Sequence, residues 1–143
     1  MAIHRLALLL LALAAASPTL AKQIDIDYVS GLDFGTSASG DPAVTVPAGS
    51  SETASNASFL VDGDKNRSYT IVLPTSATMI TGSGVGASRR ITLNAFTSFP
   101  AESSGLLNNV GEQMVYVGAT RAALSTTQQS GAYTGTFTIT VVY

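Results

Sequence analysis

Apolar residues in this chain recur at every second position, and nowhere after the first residues do they keep up the 3.6-residue period of an amphipathic helix. The clearest case is GAYTGTFTITVVY, Gly131 to Tyr143. Tyr133, Gly135, Phe137, Ile139, Val141 and Tyr143 share one phase, and Thr134, Thr136, Thr138, Thr140 and Val142 the other. A period of two places successive side chains on opposite faces of a strand. The pattern therefore predicts a strand over 132–143 with one apolar face and one hydroxyl face. Similar short segments, separated by Gly, Pro, Asn and Asp clusters, predict strands near 23–29, 31–36, 43–47, 56–62, 68–73, 77–81, 89–96 and 112–121. So many short strands in one domain's length imply an all-β fold, an immunoglobulin-like β-sandwich.

The links have their own chemistry. VDGDKNRS, with Asp62-Gly63, predicts a hairpin-like turn. TGSGVGAS is expected to be a loop. The longest connection, FPAESSGLLNNVGE, has room for a short helical turn. At the start, Arg5 precedes the apolar run Leu6–Ala16, too short for a bilayer core of about 30 Å. SPTLA comes next, with small residues suited to cleavage, so residues 1–21 are expected to be a signal peptide. The remaining chain has the length of one domain, large enough to bury a core. With Arg5 removed, six basic and nine acidic side chains remain, a balance near −3 with no basic patch to track nucleic acid. No second apolar stretch suggests membrane insertion.

There is no cysteine, and the one histidine, His4, lies in the expected signal peptide. Disulfides, thiolate metal sites and the commonest nucleophile–base pairs are thereby excluded from the mature chain. No cofactor, metal site or catalytic residue is expected, and the reading is not an enzyme. Asp62, Asp64 and Asn66 alternate like the start of a calcium loop. That pattern then needs Gly at the position of Arg67 and Glu at that of Leu73, and both fail. Gly82, Gly84 and Gly86 are followed by a strand pattern rather than the helix a phosphate loop requires. Asn56-Ala57-Ser58 and Asn66-Arg67-Ser68 match the glycosylation triplet, a weak signal in a Ser-rich chain.

Near the other end, KQIDIDYVSGLDFG places Ile24, Ile26, Tyr28, Leu32 and Phe34 in one phase. Ser30-Gly31 is the natural break. QIDIDYV can be an edge strand of its own domain, or a strand donated to a neighbour's sheet. Residues 132–143 contain neither charge nor proline. An apolar-faced edge strand without such guards is an aggregation hazard, so something is expected to cover it.

LDFG, VGAT and the terminal GAYTGTFTITVVY resemble subunits of chaperone–usher pili. More narrowly, they are similar to a family of secreted bacterial domains of unassigned function. The resemblance implies a sandwich incomplete by one strand and finished by a donor strand from another chain. It implies residues 22–30 as an N-terminal extension and 31–143 as the pilin-like domain. Ile24, Ile26 and Tyr28 would be the donor side chains. Tyr133, Phe137, Ile139, Val141 and Tyr143 would line the acceptor groove and bind the chaperone. The implied partners are neighbouring copies of the chain or related subunits, a periplasmic chaperone and an outer-membrane usher. The implied place is the cell surface, as a secreted filament with a role in adhesion or biofilm formation. The alternative is a self-contained secreted sandwich that binds a ligand, such as a tip adhesin or carbohydrate binder.

Overall fold

The computed structural model of the chain describes residues 20–143. The expected signal peptide, apart from its last two residues, lies outside them. Among the described residues nine strands run in the order β1 (Asp25–Ser30), β2 (Val44–Val46), β3 (Ala57–Asp62), β4 (Ser68–Val72), β5 (Ser76–Ile80), β6 (Arg90–Phe99), β7 (Gly105–Leu106), β8 (Glu112–Arg121) and β9 (Thr140–Val142). The only helical turn among the described residues is a 3-10 turn at Ala87–Arg89. The fold is all-β, a sandwich of one curled sheet and a smaller second one.

The curled sheet has the order β1-β3-β8-β6-β5, with β2 also paired to β8. The second has the order β7-β4-β9, and all the pairings are antiparallel. If β1, β3, β8 and β6 are lettered A, B, E and D, and β4 and β9 C and F, the order is that of an immunoglobulin sandwich, ABED over CF. The position of the seventh strand, beside β9, has no occupant among the described residues.

Alternation explains which face each strand buries. Ala57 and Val61 on β3, Tyr69 and Ile71 on β4, and Val115 and Val117 on β8 meet between the sheets, with Leu107 and Ile139 closing the cluster. β6 departs from its first phase. Ile91 and Leu93 face inward, a bulge between Asn94 and Thr97 shifts the register, and Phe96 then takes the inward position. Arg121, 2% exposed, donates from its two terminal nitrogens to the carbonyls of Ala122 and Pro42, at 2.9 and 3.0 Å.

Several expectations are corrected. VDGDKNRS does not join a hairpin: β3 lies in one sheet and β4 in the other. Each strand has a single apolar face, and the two faces meet across the core, so the link must cross the sandwich. Residues 31–36 form no strand. Leu32 and Phe34 do turn inward, but Asp33 bends the chain by accepting the Gly35 N–H at 2.8 Å. The long connection holds no helical turn; it carries β7, whose Gly105 lies against the Tyr69 ring. Asn56, part of a glycosylation triplet, is fully buried. Its amide donates to the Ala48 and Ser51 carbonyls, and its oxygen accepts from the Thr53 N–H and hydroxyl.

Candidate functional site: an open edge between the two sheets

The last residues line the most unusual feature of the sandwich. The predicted strand over 132–143 is broken. Thr140–Val142 pairs with β4, and Thr134 forms a bridge with Ile80 at the end of β5. The terminal segment thus runs antiparallel along the whole β4–β5 piece and passes from the second sheet to the edge of the first. Between these two anchor points, residues 73–79 stand opposite the shorter stretch 135–139. Pro74, which has no N–H to give, sits where the ladder stops. Residues 135–139 make no backbone–backbone hydrogen bond among the described residues. Gly135 keeps the segment close to β5, since a Cβ there would overlap the Thr78 carbonyl oxygen.

The alternation survives the break. Tyr133, Phe137 and Val141 are half-buried and Ile139 is buried, while the four threonines between Thr134 and Thr140 are exposed. The outer edge of this segment faces away from β4 and β5. Across from it stands β1, and the two border a cavity of about 460 Å³. Tyr28, Leu32 and Phe34 line one side, Phe59 the floor, and Tyr133 and Phe137 the other side. A chain of aromatic contacts runs through it. Tyr28 meets Phe59 edge-on at 6.1 Å, Phe59 meets Phe137 at 6.2 Å, and Phe137 meets Phe96 at 5.2 Å between ring centroids. Tyr28 is directly opposite Phe59 in the ladder, on the face that points between the sheets, yet it is 71% exposed. An inward-facing ring with that much exposure means the sandwich is open here.

The residues expected to donate a strand sit in their own domain in this single chain. β1 pairs with β3 from Asp25↔Asp62 to Tyr28↔Phe59. Ile24 and Ile26 are half-buried and pack against the core cluster. Of the residues expected to line the acceptor groove, Tyr133 and Phe137 border the cavity. Ile139 and Val141 continue the inward row toward Tyr143. The Tyr133 hydroxyl is fixed by the Ser88 and Gln129 carbonyls at 2.9 and 2.8 Å, and accepts from the Gln128 amide at 2.8 Å. That anchors the segment's start.

The segment's other end is anchored at the turn between β3 and β4. The Asp64 N–H donates to the Tyr143 hydroxyl at 2.5 Å, and the Arg67 guanidinium lies 3.7 Å over the Tyr143 ring centroid. Gly63 permits this, because a Cβ at that position would overlap the Tyr143 hydroxyl. Asp62 and Asp64, which resembled the start of a calcium loop, are occupied by cationic residues of the chain itself. Asp62 pairs with the Lys22 ammonium and Asp64 with Arg67. Phe59 and the β5 edge belong to the cleft but not to the predicted set. Phe59 was legible as an inward residue of a strand; nothing in its local pattern said that it would border an opening between the sheets.

Fold and cleft together define a β-sandwich with one open edge. Residues 24–143 match the family described as "Domain of unknown function (DUF4402)", and the chain belongs to that family. No curated protein and no solved structure matches the chain.

Proposed function

We propose that the protein is a secreted structural subunit of a cell-surface filament, assembled by strand donation between copies. The observation that carries this is the outer edge of residues 135–143, unpaired among the described residues and bordering an apolar opening floored by Phe59 and walled on one side by Phe137. A guest strand laid along that edge takes the vacant place beside β9. It gives the segment its missing ladder and covers Tyr28, Phe59 and Phe137. The donated strand is residues 22–30 of a neighbour, released from its own β3, with Ile24, Ile26 and Tyr28 entering the cleft. Full burial of three such side chains is worth about 5–9 kcal/mol, against association costs of about 4–15 kcal/mol. Ladder hydrogen bonds add about 0.5–1.5 kcal/mol each, and a slow off-rate then keeps the filament together. Before assembly a periplasmic chaperone shields the same edge, and an outer-membrane usher is the site of exchange. The proposal assigns no catalysis, and adhesion or biofilm formation is the role of the assembled filament.

The exposed Tyr28 ring at the mouth of the cavity favours one other reading, a binding module that stacks a sugar on that ring.

A locked variant tests the proposal. The chain has no cysteine, and Asp27 stands opposite Leu60 in the β1–β3 ladder. The double variant Asp27→Cys, Leu60→Cys ties β1 to its own domain when oxidised. Oxidised protein is expected to stay monomeric and to assemble on reduction. Equal assembly in both states would remove β1 as the donor. A monomer under every condition that instead binds oligosaccharide would favour the second reading.

A further inference from the structure

The turn between β3 and β4 holds Lys22, just ahead of β1, as well as Tyr143. The Lys22 backbone nitrogen donates to one carboxylate oxygen of Asp64 at 2.8 Å, while Arg67 holds the other oxygen at 2.9 Å. The Lys22 side-chain ammonium contacts Asp62. Lys22 is three residues ahead of β1, so this turn fixes the first strand at its leading end. Ala21 and Lys22 are exposed, and the bond between them is where small residues predict processing.

We infer that this turn is a binding site for the free amino terminus made by cleavage before Lys22, and that it latches β1 in its own domain. Water hydrolyses the Ala21–Lys22 peptide bond: Ala21 leaves as a carboxylate, and the Lys22 nitrogen becomes a primary ammonium. A neutral N–H donor is thereby replaced by a positive charge at the same atom, 2.8 Å from Asp64. Charge-assisted hydrogen bonds are roughly twice as strong as neutral ones, and capture of a terminal amine is a known mode of peptide recognition. The processed chain then presents two ammonium groups, both on Lys22, to two carboxylates of one turn. A chain still carrying its leader presents one. Processing therefore tightens β1 against β3. Because the inference rests on the proposed reading of β1 as the donated strand, the latch is a brake on donation. Opening the Lys22–Asp62–Asp64 contacts is the first step of exchange.

The test is amide hydrogen exchange on the exported full chain, with its amino terminus found by intact mass. The expected start is Lys22. Asp64→Asn is expected to speed exchange of the β1 amides about two- to fivefold, the worth of an exposed ion pair, and to leave the β8 amides unchanged. Asp62→Asn is a second, milder variant that keeps the Asp64 contacts, and it should speed the same amides less. Acetylating the terminus of the unmodified sequence should mimic Asp64→Asn. An exported chain that starts elsewhere overturns the inference, as does unchanged β1 exchange in both variants and the acetylated protein. Faster β1 exchange without any transfer of the strand to a second copy supports the latch and overturns the donor reading instead.

Discussion

β8 and the terminal segment carry the same kind of alternating apolar row, and they end in different circumstances. β8 has neighbours on both edges, β3 and β2 on one and β6 on the other. Its inward residues Val115, Val117 and Ala119 are 0–1% exposed. Among the described residues the terminal segment has a neighbour on one edge only, and within its apolar row just Ile139 reaches burial. The side-chain pattern fixes which face of a strand turns inward. How deeply that face is buried depends on whether the backbone beside it is occupied. The half-exposure of Tyr133, Phe137 and Val141 is thus a property of the vacant edge, not of their own sequence.

Substitutions should make that difference measurable. The largest effect is expected at the closed strand. Val117→Asp puts a carboxylate at a site with no exposure, at a cost of about 3–5 kcal/mol or more for an unpaired buried charge. Circular dichroism melting should show no cooperative transition. At the open strand, Ile139→Ala should cost about 2–4 kcal/mol. Phe137→Ala should cost only about 1–2 kcal/mol in the lone chain, because part of its ring is already in water. Urea denaturation reads both. In the assembled form the Phe137→Ala penalty should grow toward that of a buried ring, and a penalty that stays the same would separate this residue from any interface.

The same contrast explains how far the sequence disclosed the structure. β3, β8 and the inward phase of 133–143 were legible because alternation is a local property. The break at 135–139 was not, since it faces Pro74 in the link between β4 and β5, more than sixty residues away. Leu32 and Phe34 had the right phase but no strand to pair with, so alternation alone overstated their regularity. β7 was missed because two residues cannot display a period; burial of Leu107 and the fit of Gly105 under Tyr69 hold it in place. The cleft was legible as a row of apolar residues without guards. Its floor, Phe59, became part of it only through the opening across the sandwich, which no local pattern records. The exclusion of cysteine chemistry needed composition alone.

A smaller effect is expected at the crossing point. Gly135→Val should push the segment off β5, at about 1–3 kcal/mol for forced repacking. It should leave the pairing of Thr140–Val142 intact, and amide exchange should rise at Thr134 and Ile80 but not at Val142. The smallest effect is at the turn. The Lys22 backbone N–H, and then Arg67, hold the Asp64 carboxyl below its ordinary value of 3.8. A lowered folded-state value means the contribution is present above pH 3.8 and is lost as pH falls through the folded value. Protection of the β1 amides should therefore be steady down to that pH and decline below it, with Lys22 and Arg67 as the charges that act on Asp64. Asp64→Asn should flatten this dependence.

The claim that the open edge receives a strand is tested most directly by the exchange rates of the amides at 135–139. Lone and assembled protein would be compared by hydrogen exchange. In the lone chain these amides have no backbone partner among the described residues and should exchange quickly, while those of Val115 and Val117 stay protected. On assembly the outward-facing amides of Gly135, Phe137 and Ile139 should become protected to a degree approaching β8, as a guest strand completes the ladder. Amides at 135–139 that exchange equally fast in both states would contradict the account, whatever else holds the filament together.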